Sequence, residues 1–180
     1  MEGSEKQDYV NKQVTYVKTF SVPFALEEIK DSISISTHIP SEPSKEQIIN
    51  KAFKFHSQGN ILEAAKYYQY CINQGFKDHR VFSNYGSILK SLGKLEEAES
   101  SQRKAIELKP DFANAYYNLG NILNDLGKLE EAELSYRKAI EFNPDFAEAY
   151  SNLGSILRDL GKFDDAELSC RKAIEIKPDY

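Results

Sequence analysis

The chain repeats its own pattern every 34 residues, and this spacing limits its fold more than any other feature. Glycine recurs at this step as Gly59, Gly93, Gly127 and Gly161, and the stretches 113–146 and 147–180 are identical at 23 positions. A short fixed period is typical of stacked repeat proteins, in which each unit contacts its neighbours and no single central core forms.

Each unit predicts two helices joined by a tight turn. The units begin at Lys45, His79, Ala113 and Ala147, and positions within a unit are numbered 1 to 34 from these residues. In the third unit, apolar residues recur at helical spacing over about 113–126 and again over 129–142. Gly127 comes between them, where glycine permits a left-handed turn, and the proline at 144 ends the second helix.

Small residues recur at position 8, inside the first helix of each unit. Glycine costs a helix about 1 kcal/mol relative to alanine, so its repetition there needs a structural reason. We expect a close contact between the two helices of the unit. Position 8 carries Ala52, Gly86, Gly120 and Gly154.

The third unit carries the full pattern of a known repeat: Tyr116, Leu119, Gly120, Leu123, Ala132, Tyr136, Ala139 and Pro144. The chain therefore resembles the tetratricopeptide repeat (TPR) family. Its repeat sequences are similar to those of cyanobacterial TPR proteins and of the TPR region of O-linked GlcNAc transferases. The resemblance implies an all-α, right-handed solenoid of antiparallel helix pairs. We expect four units, at 45–78, 79–112, 113–146 and 147–180, of which the first is degenerate.

Asparagine occupies position 6 of every unit, and we call Asn50, Asn84, Asn118 and Asn152 the asparagine ladder. Asparagine is a mediocre helix former, so helix propensity does not explain it. In the family it resembles, the first helices line a concave inner surface, and this position faces inward. Such a ladder can bind the backbone of an extended peptide, because each carboxamide offers a donor and an acceptor. The alternative interpretation is that these asparagines only hold neighbouring repeats together.

Other inward positions vary between the units, as positions that determine specificity would. With the ladder they form a predicted peptide-binding set. Chaperone-binding relatives clamp a C-terminal carboxylate with a lysine at position 5, which here carries Ile49, Ser83, Tyr117 and Ser151, so that partner class is disfavoured. The remaining members of the set are Tyr117, Asn121, Arg80, Lys90, Asn124 and Arg158.

The repeat architecture favours a non-catalytic interaction scaffold that binds an extended peptide or a partner helix on its concave face. The net charge of −5 argues against nucleic acid as a partner, and no apolar run approaches the length of a membrane span. Because no catalytic, cofactor or metal-binding motif is present, we expect neither a cofactor nor a bound metal. An alternative is a substrate-recruiting arm of a larger transferase-type enzyme. We expect a cytoplasmic protein whose Cys71 and Cys170 are buried and reduced.

The second helices carry acid–base pairs four residues apart, with the acid first. On an exposed helix face each such pair contributes about 0.2–0.5 kcal/mol. We expect them to be structural, without a role in binding. The pairs are Glu99–Arg103, Glu133–Arg137 and Glu167–Arg171.

The two ends of the chain depart from the repeat. Residues 1–44 form an N-terminal segment and linker, with disorder to about residue 13, a short helix over 22–29 and a strand-like stretch over 32–36. We expect its apolar residues from 14 to 35 to cover Ile49 and Phe53. At the other end we expect Leu168 and Ile174 to be partly exposed. Either the chain is a piece of a longer protein, or two copies form a homo-oligomer through this end.

Overall fold

A computed structural model describes residues 43–179, and these form eight α-helices with no β-strand among them. The all-α fold predicted from the sequence is confirmed. The predicted disorder, short helix, strand-like stretch and linker before residue 43 lie outside the described residues. The helices are α1 (Lys45–Ser57), α2 (Ile61–Asn73), α3 (His79–Ser91), α4 (Leu95–Leu108), α5 (Ala113–Asp125), α6 (Leu129–Phe142), α7 (Ala147–Asp159) and α8 (Phe163–Ile176).

The turn inside each repeat is made by a left-handed glycine. Gly127 has φ of +73°, a conformation that side-chain-bearing residues rarely adopt. Its N–H donates to the Asn124 carbonyl at 2.9 Å, and the next N–H, from Lys128, reaches back to the Leu123 carbonyl at 2.8 Å. These bonds satisfy carbonyls at the end of α5 and direct the chain straight into α6.

The first helix begins with a capping box. The Ser44 hydroxyl accepts from the Gln47 backbone N–H at 3.2 Å, and the Gln47 side chain accepts from the Ser44 N–H at 2.7 Å. The N-cap predicted at Ser44 is therefore confirmed. Two of the unpaired N–H groups that every helix start leaves are satisfied in this way.

Position 8 is small because the two helices of a repeat touch there. A Cβ placed on Gly120 would lie 2.6 Å from Cε1 of Tyr136, closer than two carbons can approach. The same close contact joins Gly86 to Gln102 and Gly154 to Cys170, so the expected reason for these glycines is confirmed. Glycine at position 8 makes room for whichever side chain stands at position 24.

The first helices form an inner layer of the solenoid. Helix α5 contacts α3 and α7, whereas α2, α4 and α6 each pack against their own first helix and the first helix of the next repeat. The first helices are therefore closer together than the second helices. This curvature leaves an inner surface lined by α1, α3, α5 and α7, and grooves between the second helices on the outer side.

The core follows the stacking rather than forming one centre. One apolar cluster joins the first two repeats around Tyr68 and Val81, and another joins the last two around Tyr136 and Leu157. Between them lies a small cluster of Leu89, Ala98 and Ile122. Stability therefore depends on the junctions between neighbouring repeats.

The last helix leaves apolar side chains exposed, as expected, but for two different reasons. Ile174 is 53% exposed because no described helix packs on that side of α8. Leu168 is 65% exposed, but Leu134 at the same position of the third repeat is 64% exposed, so this position faces outward in any repeat. The exposure of Leu168 therefore says nothing about the last junction.

The prediction that both cysteines are buried is wrong for Cys170. Both are free thiols, and Cys71 is fully buried, but Cys170 is exposed. Cys170 stands at position 24, which in the first three repeats is covered by the following repeat. We call Phe163, Cys170 and Ile174 the end face, because all three occupy positions that are covered in earlier repeats.

Candidate functional site

The asparagine ladder connects neighbouring repeats through its side-chain donors. Asn152 Nδ2 donates to Asn121 Oδ1 at 2.8 Å and to the Tyr117 hydroxyl at 3.4 Å. Asn118 Nδ2 donates one repeat earlier, to the Ser83 and Ser87 hydroxyls at 3.4 and 3.3 Å. In both cases the acceptors are at positions 5 and 9 of the preceding repeat.

The side-chain oxygens of these two asparagines have no hydrogen-bond donor within the described residues. Within residues 43–179, no group donates a hydrogen bond to Oδ1 of Asn118 or Asn152. Both side chains are only half-buried on the inner surface. The packing interpretation therefore accounts for the donors, and the carbonyl oxygens remain able to accept from a peptide N–H.

A buried tyrosine lies beneath the ladder in two repeats, and the sequence reasoning did not include it in the site. The Tyr136 hydroxyl donates to Asn121 Oδ1 at 2.8 Å, so this oxygen accepts from both Tyr136 and Asn152. Tyr68 is hydrogen-bonded to His56 Nδ1 at 3.2 Å. Burial raises the pKa of Tyr68 to about 12, although its contact with Asn84 opposes the rise, so the hydroxyl stays protonated. The aromatic residue at position 24 was the sequence feature that could have placed this tyrosine in the site.

The second repeat has a glutamine at this position and is less well satisfied. Gln102 is fully buried, and its Nε2 donates to the Ser83 carbonyl at 2.8 Å. Its Oε1 atom is buried without a hydrogen-bond partner among the described residues. An unpaired buried carbonyl is costly, so the middle of the array carries a local weakness.

Arg80 is held in place by several neighbours. Its guanidinium donates to Asp78 at 2.6 and 3.1 Å, lies 3.7 Å from Glu46 and stacks 5.1 Å from the Phe53 ring centre. Phe53 is thus partly covered by the array itself, and Ile49 is only 4% exposed. The residues from 14 to 35 that were expected to cover Ile49 and Phe53 lie outside the described residues, so that expectation stays a prediction.

The other predicted side chains are spread along the array. Lys90 is paired with Asp125 of the next repeat at 2.8 Å, and Arg158 with its neighbour Asp159 at 3.2 Å. Asn124 is exposed. Asn50 is also exposed, in the first repeat, where no described helix precedes it. The structure therefore joins Tyr117, Asn121 and Asn152 into one polar cluster by hydrogen bonds. Asn118 bonds to Ser83 and Ser87 of the preceding repeat, and Asn84 contacts the buried Tyr68.

The acid–base pairs of the second helices are not simply exposed pairs, as the sequence suggested. The side chains of Glu99 and Glu133 are only 14% and 10% exposed. Each also accepts from a lysine of the following repeat, Lys128 at 2.8 Å and Lys162 at 2.7 Å respectively. These two carboxylates therefore join neighbouring repeats, whereas Glu167, which is 64% exposed, bonds only within its own helix.

No metal-binding cluster of histidine, cysteine, aspartate and glutamate occurs within residues 43–179. None of the eight described helices combines the length and the hydrophobicity that a membrane span requires.

Comparison with family models decides the class of the repeats. A model described as TPR repeat matches residues 86–124 and 120–161, and one described as tetratricopeptide repeat matches 147–180. Together these matches extend from 86 to 180, more than half of the chain. The chain belongs to the tetratricopeptide repeat family.

Two curated relatives of this TPR protein share part of its sequence. It is 37% identical over 73 residues to the protein STIP1 homolog of Dictyostelium discoideum. It is 36% identical over 67 residues to the Hsp70-Hsp90 organising protein of Plasmodium falciparum. Each match covers 37% of this chain, but only 13% and 25% of the two relatives respectively.

Solved TPR structures share the fold. MamA superposes with a TM-score of 0.71 at 22% identity, over 77% of this chain and 81% of that one. YrrB, described as a TPR protein with an unusual peptide-binding site, superposes with a TM-score of 0.68 at 22% identity, over 78% and 72% of the two chains. A MamA fragment from Desulfovibrio magneticus RS-1 gives 0.68 at 17% identity, over 77% and 78%.

Proposed function

We propose that this TPR protein is a non-catalytic scaffold that binds an extended peptide or a partner helix along its inner surface. The observation that carries the proposal is the pair of unsatisfied carboxamide oxygens on Asn118 and Asn152, which lie on successive repeats. Their donors are fixed by the preceding repeat, so the acceptors are held in position before a ligand arrives. Pre-organised acceptors lower the entropic cost of binding.

The other side chains along the inner surface determine which peptides fit. Tyr117 presents an aromatic ring beside the pair, stacked on Phe146 with the ring centres 4.7 Å apart. Arg80 offers a guanidinium that is already partly neutralised by Asp78, and Lys90 is shared with Asp125. A surface of mixed sign with an aromatic anchor favours a partner of mixed charge over a strongly acidic one.

The names of the curated relatives raise a chaperone partner as a second candidate. A carboxylate-clamping site would require a lysine at position 5 of an early repeat. That position is occupied by Ile49, Ser83 and Tyr117 in the first three repeats, and Ile49 and Ser83 are buried. We therefore propose a ligand bound through its backbone rather than through a terminal carboxylate.

The proposal has consequences for the whole protein. The alternative, an arm that recruits substrates to a larger transferase-type enzyme, would use the same inner surface, and no contact within residues 43–179 favours it. A cytoplasmic location is in keeping with two free cysteines. We propose neither nucleic acid nor a membrane as a partner, and no cofactor.

Two copies can associate through the end face, because Phe163 and Ile174 are 68% and 53% exposed.

A ligand selected from a peptide library on the immobilised wild-type protein tests the proposal. The affinity of the selected peptide is measured by calorimetry for wild type and for Asn118→Ala/Asn152→Ala, with the folded fraction taken from circular dichroism. We expect the double variant to stay helical and to lose binding. Asn73→Ala is the control, since Asn73 is exposed at the end of α2 and does not belong to the inner surface. Normal binding per folded molecule, together with earlier melting, would show that the ladder serves packing alone.

A further inference from the structure

The outer side of the array has one groove much larger than its counterpart. The groove between α2 and α4, which we call the outer groove, has a volume of about 1010 Å³, whereas the equivalent groove between α4 and α6 has about 390 Å³. The floor of the outer groove is one face of α3, formed by Phe82, Tyr85 and Leu89. These residues are spaced i, i+3 and i+7, so they present a continuous apolar stripe.

A missing pair of charges explains why the outer groove is open. Between the second and third repeats, Arg103 bonds Glu131 at 2.9 Å and Lys128 bonds Glu99 at 2.8 Å, so two ion pairs join the second helices over the groove. The third and fourth repeats repeat this arrangement with Arg137–Asp165 at 3.7 Å and Lys162–Glu133 at 2.7 Å. These bridges partly cover the apolar floor.

The first junction has only half of this arrangement. The second repeat supplies Lys94 and Glu97, but the first repeat places Ala65 and Gln69 where the later repeats have a glutamate and an arginine. Lys94 and Glu97 therefore pair with each other at 3.0 Å instead of across the groove. Gln69 accepts a hydrogen bond from the Tyr85 hydroxyl at the groove floor.

We propose that the outer groove binds an amphipathic helix of a partner protein, with an apolar face on Phe82, Tyr85 and Leu89 and an arginine or lysine that pairs with Glu97. At both later junctions the residue equivalent to Glu97, which is Glu131 or Asp165, pairs with an arginine. A basic side chain is therefore the complementary group for Glu97. Glu96 also lines the groove with no ion pair among the described residues, whereas Glu99 and Glu107 are paired with Arg103 and Lys104. Laying an apolar face between two helices is a common way to bind a helix.

The outer groove is separate from the inner surface, so this proposal does not depend on the proposed function. The probe is a fluorescein-labelled synthetic peptide of about 18 residues, or five helical turns, with leucine on one face and arginine and alanine on the other. A counterpart with glutamate in place of arginine tests the charge requirement. Binding to the full chain is followed by fluorescence anisotropy.

The decisive variant is Ala65→Glu/Gln69→Arg, which gives the first junction the residues of the later ones. It leaves the net charge unchanged, so general attraction between a basic peptide and an acidic protein is held constant. We expect it to fold, because the same residues occur at these positions in the next three repeats. Its affinity for the arginine peptide should fall at least about tenfold. Gln69→Arg alone supplies only the arginine that pairs with Glu97, so it should cause a smaller loss of affinity.

Two controls distinguish binding in the outer groove from binding elsewhere on the chain. Asn118→Ala/Asn152→Ala should bind the arginine peptide as wild type does, because the ladder lies on the inner surface. The glutamate peptide should bind much more weakly than the arginine peptide. Equal binding of the two peptides, or equal binding by Ala65→Glu/Gln69→Arg and wild type, would overturn the proposal. A wild-type dimer that becomes monomeric in Ala65→Glu/Gln69→Arg would also overturn it, because the groove would then join two copies of this chain.

Discussion

The side chain of Asn152 donates a hydrogen bond of 2.8 Å to Oδ1 of Asn121, and so connects α7 to α5. The same oxygen accepts from the buried Tyr136 hydroxyl at 2.8 Å. Three side chains from three consecutive helices therefore meet at one atom on the inner surface. Repeat packing and ligand recognition share these residues, so the two roles have to be separated by measurement.

Replacing Asn152 should cost stability, whereas replacing Asn50 should not. Asn152→Ala removes the hydrogen bond to Asn121, and we expect a loss of about 1 kcal/mol in the free energy of unfolding. Asn50→Ala removes an exposed side chain and should stay within about 0.5 kcal/mol of wild type. Urea denaturation followed by circular dichroism measures both. Equal stability of the two variants would show that the Asn152–Asn121 bond contributes nothing.

Adding one methyl group to Gly120 should be more harmful than adding it to Gly154. In Gly120→Ala the new Cβ meets the Tyr136 ring, which is buried and cannot move aside, so we expect a loss of about 1–3 kcal/mol. In Gly154→Ala the nearest atom is Sγ of the exposed Cys170, which can rotate away. The gain in helix propensity of about 1 kcal/mol should then offset most of the strain. Melting temperatures that are lowered equally would contradict this difference.

The carboxylates of Glu99 and Glu133, which join neighbouring repeats, should make the free energy of unfolding depend on pH in the acidic range. Hydrogen bonds from Lys128 and Arg103 lower the pKa of Glu99, and those from Lys162 and Arg137 lower the pKa of Glu133 although burial opposes this. Their stabilising contribution is therefore present above the unfolded pKa of about 4.3, and it is lost as the pH falls through the lower folded pKa.

The variant Glu99→Gln/Glu133→Gln should be less stable than wild type at neutral pH by about 1–3 kcal/mol and should lose less stability on acidification. Urea denaturation at several pH values from about 7 to 3 provides the two curves, which should converge in acid. Glu167→Gln is the control, because its carboxylate bonds only to Arg171 of its own helix. Parallel curves for wild type and the double variant would contradict the assignment.

Replacing Gln102 by tyrosine should stabilise the middle of the array. Gln102→Tyr removes the unpaired buried Oε1, and its ring has space against Gly86 as Tyr136 has against Gly120. The Ser83 carbonyl keeps the Ser87 hydroxyl as a donor at 3.1 Å. We expect a gain of about 1 kcal/mol, measured as a higher melting temperature. Gln102→Ala should do the opposite by leaving a cavity, and a loss of stability in both variants would show that the unpaired oxygen is not the weak point.

The end face should make the 180-residue chain associate with itself at high concentration. Phe163→Lys/Ile174→Lys places charge on this face and should shift the weight-average mass in sedimentation equilibrium toward the monomer. Leu168→Lys is the matched control, because that position is equally exposed in an internal repeat. A wild-type protein that remains monomeric over a wide concentration range would refute the self-association.

Periodicity alone was enough to predict the helices. The apolar spacing predicted helices over about 113–126 and 129–142, and α5 and α6 occupy Ala113–Asp125 and Leu129–Phe142. The turn at Gly127, the cap at Ser44 and the close contact at position 8 also follow from local rules, because each depends on residues within one unit. The turn glycine and the small residue at position 8 repeat with the 34-residue period, so every unit confirms the others.

The sequence was less informative where one repeat meets the next. Glu99 looked like half of an exposed helix pair, and only the stacking of α4 against the following repeat shows that it is nearly buried beside Lys128. Cys170 looked like Cys71, yet one is exposed and the other buried. Tyr136 and Gln102 occupy the same position, but one completes the polar cluster on the inner surface and the other leaves an oxygen unpaired.

The sequence by itself therefore determined the number of helices, their ends and their pairing, because these depend on side chains within 34 residues of one another and recur in every unit. Only the tertiary structure decided which amide atom of Asn118 and Asn152 has no hydrogen-bond partner among the described residues. It also decided which outer groove has no ion pairs across it. Both depend on distances between residues about one period apart, such as Lys128 and Glu99. Spacing along the chain does not reveal these distances, because they arise only when the repeats stack.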